Sequence, residues 1–211
     1  MKVLIIGANG NTGFRLTKIL AQGPHDPTAM IRNPDHRSRF ENMGVPTILA
    51  DLEYPVDHAV KGFDAIIFAA GSGGKTGRDK TVMVDQLGAI RSVVTALVHD
   101  CPRYIMLSSM NADMESNSKI AHYHRAKGYA DDFIRRQADL DWTIVRPGGL
   151  HNNPSTATAE FLSKTTGSYK TSRQTLAEVL AACLDEPATI QKIFGLADGN
   201  TPYDAGLKTL S

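Results

Sequence analysis

Short, wholly apolar runs alternate with longer amphipathic stretches along most of the chain. Residues 3–6 (VLII) read as a strand buried on both faces, since no polar position interrupts the run. A helical pattern follows, with Phe14, Leu16, Ile19 and Leu20 apolar and Arg15 and Lys18 polar. Further strands are expected at 28–31, 45–50, 65–70, 103–107 and 142–145. Amphipathic helices are clearest over 81–99 and 123–138. Regular alternation of strand and helix implies a parallel sheet with helices on both faces. Right-handed crossovers then lead to a doubly wound α/β domain.

The last third breaks this rhythm. Residues 152–168 are rich in Thr, Ser, Asn and Gly and read as loop with one short helix. Residues 174–184 form a strong helix, stopped by Asp185-Glu186-Pro187, and 193–196 predict a final strand. The expected organisation is one domain over residues 1–211. A small cap, formed mainly by about 150–211, is expected on the substrate side.

The connection after the first strand carries the most specific signal. Gly7-Ala8-Asn9-Gly10-Asn11-Thr12-Gly13 separates that strand from its helix. Strand, glycine turn and helix in this order make a dinucleotide pyrophosphate site. Gly7 permits the turn, Gly10 lets backbone approach phosphate, and Gly13 lets the helix pack close. The helix N-terminus then holds the anion. The spacing is G-x-x-G-x-x-G rather than G-x-G-x-x-G, and a tight βα connection without a nucleotide is the competing explanation.

The tips of later strands add to this site. In an NAD site the end of strand two carries an acid for the ribose 2′-hydroxyl. Here Arg32-Asn33 stand there, and a guanidinium suits a 2′-phosphate. The expected cofactor is therefore NADP, with NAD the alternative. Asp51 and Leu52, after strand three, are placed beside the adenine, although Asp51 serves equally well as a turn residue. Ala69, Ala70 and Gly71, after strand four, are small enough for a cofactor to pass close to backbone. The run 69–76 also fits a loose phosphate-loop pattern, with Ala69 replacing the first glycine. Residues 77–79 separate it from the next helix, so a loop beside the cofactor, with Lys75 or Arg78 reaching phosphate or substrate, is the preferred reading.

Candidate chemistry follows strand five. Ser108 and Ser109 precede Tyr123-His124-Arg125-Ala126-Lys127. A tyrosine and a lysine four apart share one helix face. The ammonium favours phenolate, so the tyrosine can exchange a proton with an alcohol–carbonyl pair. A serine hydroxyl can hold the substrate oxygen. His122 and His124 flank the tyrosine as alternate residues, too far around the helix to share a metal; no metal site is expected.

Taken together, GANGNTG, Arg32, Ala50-Asp51-Leu52, MLSSM, Tyr-x-x-x-Lys and TIVRPGGL resemble the short-chain dehydrogenase/reductase superfamily. The likeness is strongest to its small atypical NAD(P)H-binding, sugar-epimerase-like members and spans nearly the whole chain. The resemblance implies that Pro147, Gly148, Gly149 and Leu150 lie over the nicotinamide. It implies Ser109, Tyr123 and Lys127 as catalytic positions, with Ser108, Tyr123 and Lys127 also touching cofactor. It implies hydride transfer to a small carbonyl or quinone-like substrate, or else a non-catalytic NADP-binding sensor or a flavin reductase on the same fold. Residues 110–122 lack the longer insertion of true sugar epimerases, which argues against a nucleotide-sugar substrate.

Composition narrows the remaining classes. Lys and Arg total 23 against 22 Asp and Glu, so neither nucleic acid nor an anionic membrane surface is indicated as partner. Cys101 and Cys183 sit in apolar segments and read as core residues in a reducing compartment. No leader and no apolar run of transmembrane length is read, and a cytoplasmic location is expected. The expected partner is a small molecule. Monomer and homodimer are both compatible with the helix faces.

Overall fold

In the computed structural model, which describes residues 1–74 and 76–210, the apolar runs become parallel strands as their pattern requires. β1 (Lys2–Ile6) leads into α1 (Asn11–Ala21), β2 (Asp26–Ile31), α2 (Arg37–Glu41), β3 (Thr47–Leu49), α3 (Asp57–Val60) and β4 (Ala65–Phe68). α4 (Arg78–Lys80) continues through a π-helical stretch (Thr81–Gly88) into α5 (Ala89–Val98). Then come β5 (Arg103–Leu107), α6 (Ala121–Arg135), β6 (Asp141–Pro147), β7 (Gly149–His151), β8 (Thr158–Leu162) and β9 (Lys170–Ser172). α7 (Arg173–Ala182), β10 (Lys192–Pro202) and α8 (Tyr203–Lys208) complete the chain.

The main sheet has the order β3-β2-β1-β4-β5-β6-β10-β8. All its neighbours pair parallel except β8, which runs antiparallel to β10. Alternate residues of each strand feed two separate cores. Val3, Ile5, Ile67 and Ile105 face α1 and α7, while Leu4, Ile6, Phe68 and Met106 face the α5 and α6 side. Burial on both faces is why the strands read as unbroken apolar runs. Strand order reverses between β1 and β4, and a crevice opens there at the carboxyl ends, where such sheets bind ligands.

The structure corrects the C-terminal reading. Residues 152–168 contain no helix; instead Thr158–Leu162 forms β8, an edge strand. One of its faces meets solvent, so Ala159 is buried while Glu160 is exposed, and polar neighbours mask the alternation. The final strand covers 11 residues rather than four. Its extension pairs with β8 across an irregularity between Ala197 and Thr201. α7 packs along α1 and supplies Leu176, Val179 and Leu180 to the core. Much of the last third is therefore built into the sheet and its helical layer.

The reading of 81–99 as one regular helix also changes. Helix begins at Arg78 and its middle is π-helical, a form that recurs at functional sites. Arg78–Val98 is, among the described residues, the one helix long and apolar enough to cross a membrane by those measures alone. Half of its most apolar window is buried inside the fold, as in a core helix. The sequence pattern counted no such run because Arg78, Asp79, Lys80, Asp85 and Arg91 interrupt it.

Candidate functional site

The glycine turn is built by close backbone approach. Gly7 has φ +85°, and a Cβ there would lie 2.5 Å from the Ala70 backbone. Gly10 N donates to Gly7 O at 3.0 Å and closes the turn. At Gly13 a Cβ would strike Gly7 O, so this position serves packing of α1 on the turn. α1 has no side-chain cap and no acid in its first turn. Its leading N–H groups are left for an anion, and the dipole favours one. These features fit the pyrophosphate of a dinucleotide.

Two clefts meet over this turn, of about 580 Å³ and about 270 Å³. Both are walled by Gly10, Ala70, Gly71 and Ser72. The smaller also contains Gly7, Asn9, Arg32, Asp51 and Leu52. Arg32 stands exposed at the tip of β2. Asn33 lines neither cleft: its Oδ1 accepts from Asp35 N at 3.0 Å and caps a short 3₁₀ turn. Asp51 Oδ1 accepts from Glu53 N at 3.0 Å, so one oxygen holds the local turn while the residue still borders the cleft.

Two basic side chains near this cleft escaped the sequence reading. His36 lines the small cleft. Arg39 donates to Asn9 Oδ1 at 2.8 Å, and its guanidinium carbon lies 3.4 Å from the Phe14 ring centroid. The signal was the basic run just past Arg32, in which Arg39 reaches back over α1 from α2.

The larger cleft gathers Asn11, Thr12, Ala69, Ser109, Tyr123, Lys127, Pro147, Gly148 and Leu150. Gly149 is not in its wall. Ser108 borders it, but its hydroxyl donates to the buried Asp131 Oδ2 at 2.6 Å. Arg146 Nε donates to the same oxygen at 2.9 Å. Burial pushes the Asp131 carboxyl above the usual carboxylate range, and Arg146 and Ser108 oppose that rise. Ser109 Oγ donates to Met110 O at 3.1 Å.

Lys127 is only 2% exposed. Its Nζ lies 3.4 Å from Asp85 Oδ1 and donates to Leu107 O at 3.3 Å and Ala70 O at 3.4 Å. Burial works against its charge, but Asp85, Tyr123 and Asp131 outweigh that and hold it above the ordinary lysine value. The Asp85 contact is an ion pair rather than a hydrogen bond, and Oδ1 has no donor among the described residues. Asp85 Oδ2 accepts from Ser72 N at 2.9 Å, which anchors the loop after β4. Asp85 comes from the π-helical stretch, 42 residues from Lys127, and no local motif announced it.

Within the 69–76 run, Lys75 lies outside the described residues. Thr76 Oγ1 donates to Ser72 O and Gly73 O, so its hydroxyl is spent inside the loop rather than left for a metal-bound phosphate. Helix begins at Arg78, sooner than the sequence spacing implied.

The flanking histidines diverge. His122 borders the larger cleft. His124 is buried, with Nδ1 2.9 Å from Ser118 Oγ, and burial lowers its pKa. A lowered value means the unfolded chain takes the proton first. Stability contributed by neutral His124 is present above the ordinary imidazole range and lost as pH falls through the folded value. Thermal unfolding of wild type against His124→Gln from about pH 7.5 to 5 checks this. The wild type is expected to lose more stability on acidification than the variant.

The sequence profile of the NAD(P)H-binding family matches residues 7–187. The uncharacterized sugar epimerase YhfK of Bacillus subtilis is 39% identical, with all of both chains aligned. A solved structure from Bacillus halodurans, provisionally named an NAD-dependent epimerase/dehydratase, is 36% identical with a TM-score of 0.93, again over all of both chains. A Veillonella parvula short-chain dehydrogenase/reductase, solved in complex with NADP, has a TM-score of 0.75 at 19% identity, covering 96% of this chain and 97% of that one. That last likeness is one of fold. With a glycine turn, two joined clefts and a profile match over most of its length, the chain belongs to the NAD(P)H-binding family and has its oxidoreductase-like Rossmann fold.

Proposed function

We propose that the protein is an NADP-dependent oxidoreductase that reduces a small carbonyl or quinone-like substrate. The observation that carries this reading is the wall of the larger cleft, where Ser109, Tyr123 and Lys127 stand with the glycine turn. Bound nicotinamide supplies the hydride. Gly10, Asn11 and Thr12 would hold its pyrophosphate, and Leu52 and Asp51 its adenine. Gly148 and Leu150 would lie along the nicotinamide, with Pro147 beside them excluding water.

Tyr123, in the first turn of α6, exchanges the proton with the substrate oxygen. Lys127 places a fixed positive charge one helical turn below it, held in register by Asp85. Ser109 orients the oxygen after giving up its contact with Met110 O. Arg32 and His36 give the small cleft a basic rim suited to a 2′-phosphate. Arg32→Ala is expected to weaken NADPH binding about 10- to 100-fold and to change NADH binding less than about 2-fold. Fluorescence titration with both nucleotides reads this. Equal loss of both would remove the preference for NADP.

Consumption of NADPH by the wild type against a panel of quinones, aldehydes and ketones tests the activity itself. The Ser109 hydroxyl, already satisfied by backbone, favours a second reading, an NADP-binding redox sensor without turnover. Tight NADPH binding with no consumption across the panel would select the sensor. Transfer to free flavin that survives Tyr123→Phe would select a flavin reductase, which needs no tyrosine proton.

A further inference from the structure

The C-terminal third contributes one cation to the larger cleft, Arg173. It is the first residue of α7, behind the N-cap Ser172. A positive side chain there opposes the helix dipole, and the first turn of α7 contains no acid to compensate. Among the described residues no carboxylate pairs with it. Lys127, by contrast, has its charge answered by Asp85.

What holds Arg173 is a neutral amide. Its Nη1 donates to Asn152 Oδ1 at 3.2 Å. Arg15 Nη2 reaches the same oxygen at 3.5 Å, and Arg15 Nη1 donates to Asn11 O at 2.7 Å. Asn152 thereby fastens Arg173 to the first turn of α1, where the helix already offers unpaired N–H groups. Two guanidiniums around one neutral acceptor repel each other, and an anion between them and the turn relieves that repulsion. A guanidinium fork matches two phosphate oxygens at once. Arg173 borders the larger cleft and not the smaller, so it faces the nicotinamide half of the cofactor.

We propose that Arg173 binds the nicotinamide-side phosphate of the dinucleotide, closing the pyrophosphate between the α1 turn and the start of α7. The inference rests on the dinucleotide reading above. It gives the C-terminal third a direct part in cofactor affinity, with Asn152 and Arg15 as positioning residues.

The test titrates the full chain, wild type and Arg173→Gln, with NADPH, NADH and adenosine 2′,5′-bisphosphate. The last ligand keeps the adenosine half and the 2′-phosphate but lacks the nicotinamide-side phosphate. The expected result is an equal loss of about 10- to 100-fold for NADPH and NADH, with the bisphosphate unchanged. Arg173→Lys keeps the charge without the fork and is expected to restore part of the loss. Unchanged NADPH and NADH binding in Arg173→Gln overturns the proposal. So does an equal loss of all three ligands, which marks a general disturbance of the fold. A wild type that binds none of the three overturns the dinucleotide reading instead.

Discussion

Tyr123→Phe is expected to lower kcat by about 10²- to 10⁴-fold on whichever carbonyl or quinone the wild type reduces, with NADPH affinity unchanged. The substitution removes one oxygen from a half-buried ring at the start of α6 and leaves its packing in place. No hydrogen bond among the described residues depends on that hydroxyl, so the variant should fold normally. Steady-state NADPH oxidation beside a nucleotide titration separates the two effects. A fall in kcat with constant nucleotide Kd supports proton exchange by Tyr123. Full turnover by Tyr123→Phe would assign the proton elsewhere, and His122, in the same cleft wall, is then the next group to replace.

Asp85→Ala is expected to destabilise the protein by about 3–5 kcal/mol. Lys127 and Asp85 have side chains 3% and 1% exposed, so removing the carboxylate strands a buried ammonium. The Ser72 N–H loses its acceptor at the same time. Urea unfolding should show a lower midpoint at a similar slope. The double variant Asp85→Leu with Lys127→Met is expected to recover much of the loss, because two apolar groups replace the pair. A single-variant cost below about 1 kcal/mol would mean that water reaches the pair. The pH dependence has a definite sign. The folded value of Lys127 is raised, so its contribution is present in full below the ordinary lysine value and lost only as pH rises through the folded one. Without Asp85 the burial of Lys127 lowers its folded value instead, so the cost of Asp85→Ala should grow as pH falls from about 9 to 6.

The two variants probe neighbouring parts of one cleft. Tyr123 sits at its surface, and the Asp85–Lys127 pair lies in its floor. If Asp85→Ala lowers activity more than nucleotide binding at a temperature where it stays folded, the pair positions Lys127 for the reaction. If both fall together, the main task of the pair is to anchor the Ser72 segment against the cofactor.

Most of the architecture was legible along the chain because it depends on short-range pattern. Apolar runs buried on both faces can only be central parallel strands, and their spacing by amphipathic helices leaves few ways to order them. The glycine turn was legible for a related reason. Gly13 answers backbone contacts within the turn itself, and Gly7 answers the turn's own positive φ, although the backbone it lets approach, at Ala70 after β4, lies far along the chain. β8 was missed because an edge strand buries one face only, and five residues among Thr, Ser and Asn carry too little contrast to mark it.

The electrostatics of the cleft depend on contacts that no local pattern encodes. Asp85 meets Lys127 from a different helix, Asp131 engages the Ser108 hydroxyl, and Asn152, 137 residues after Arg15, joins it to Arg173. Asn33 reads as a cofactor ligand along the chain, and its Oδ1 also caps its own turn, where Asp35 N is the nearest donor. The sequence by itself determined the βα order, the glycine turn and the Tyr-x-x-x-Lys spacing, since each is set by neighbours along the chain. Only the tertiary structure decided which charges are paired, which hydroxyls are spent and which cation is left facing the cleft. Those outcomes follow from the desolvation and distance of groups that meet only after the sheet has formed.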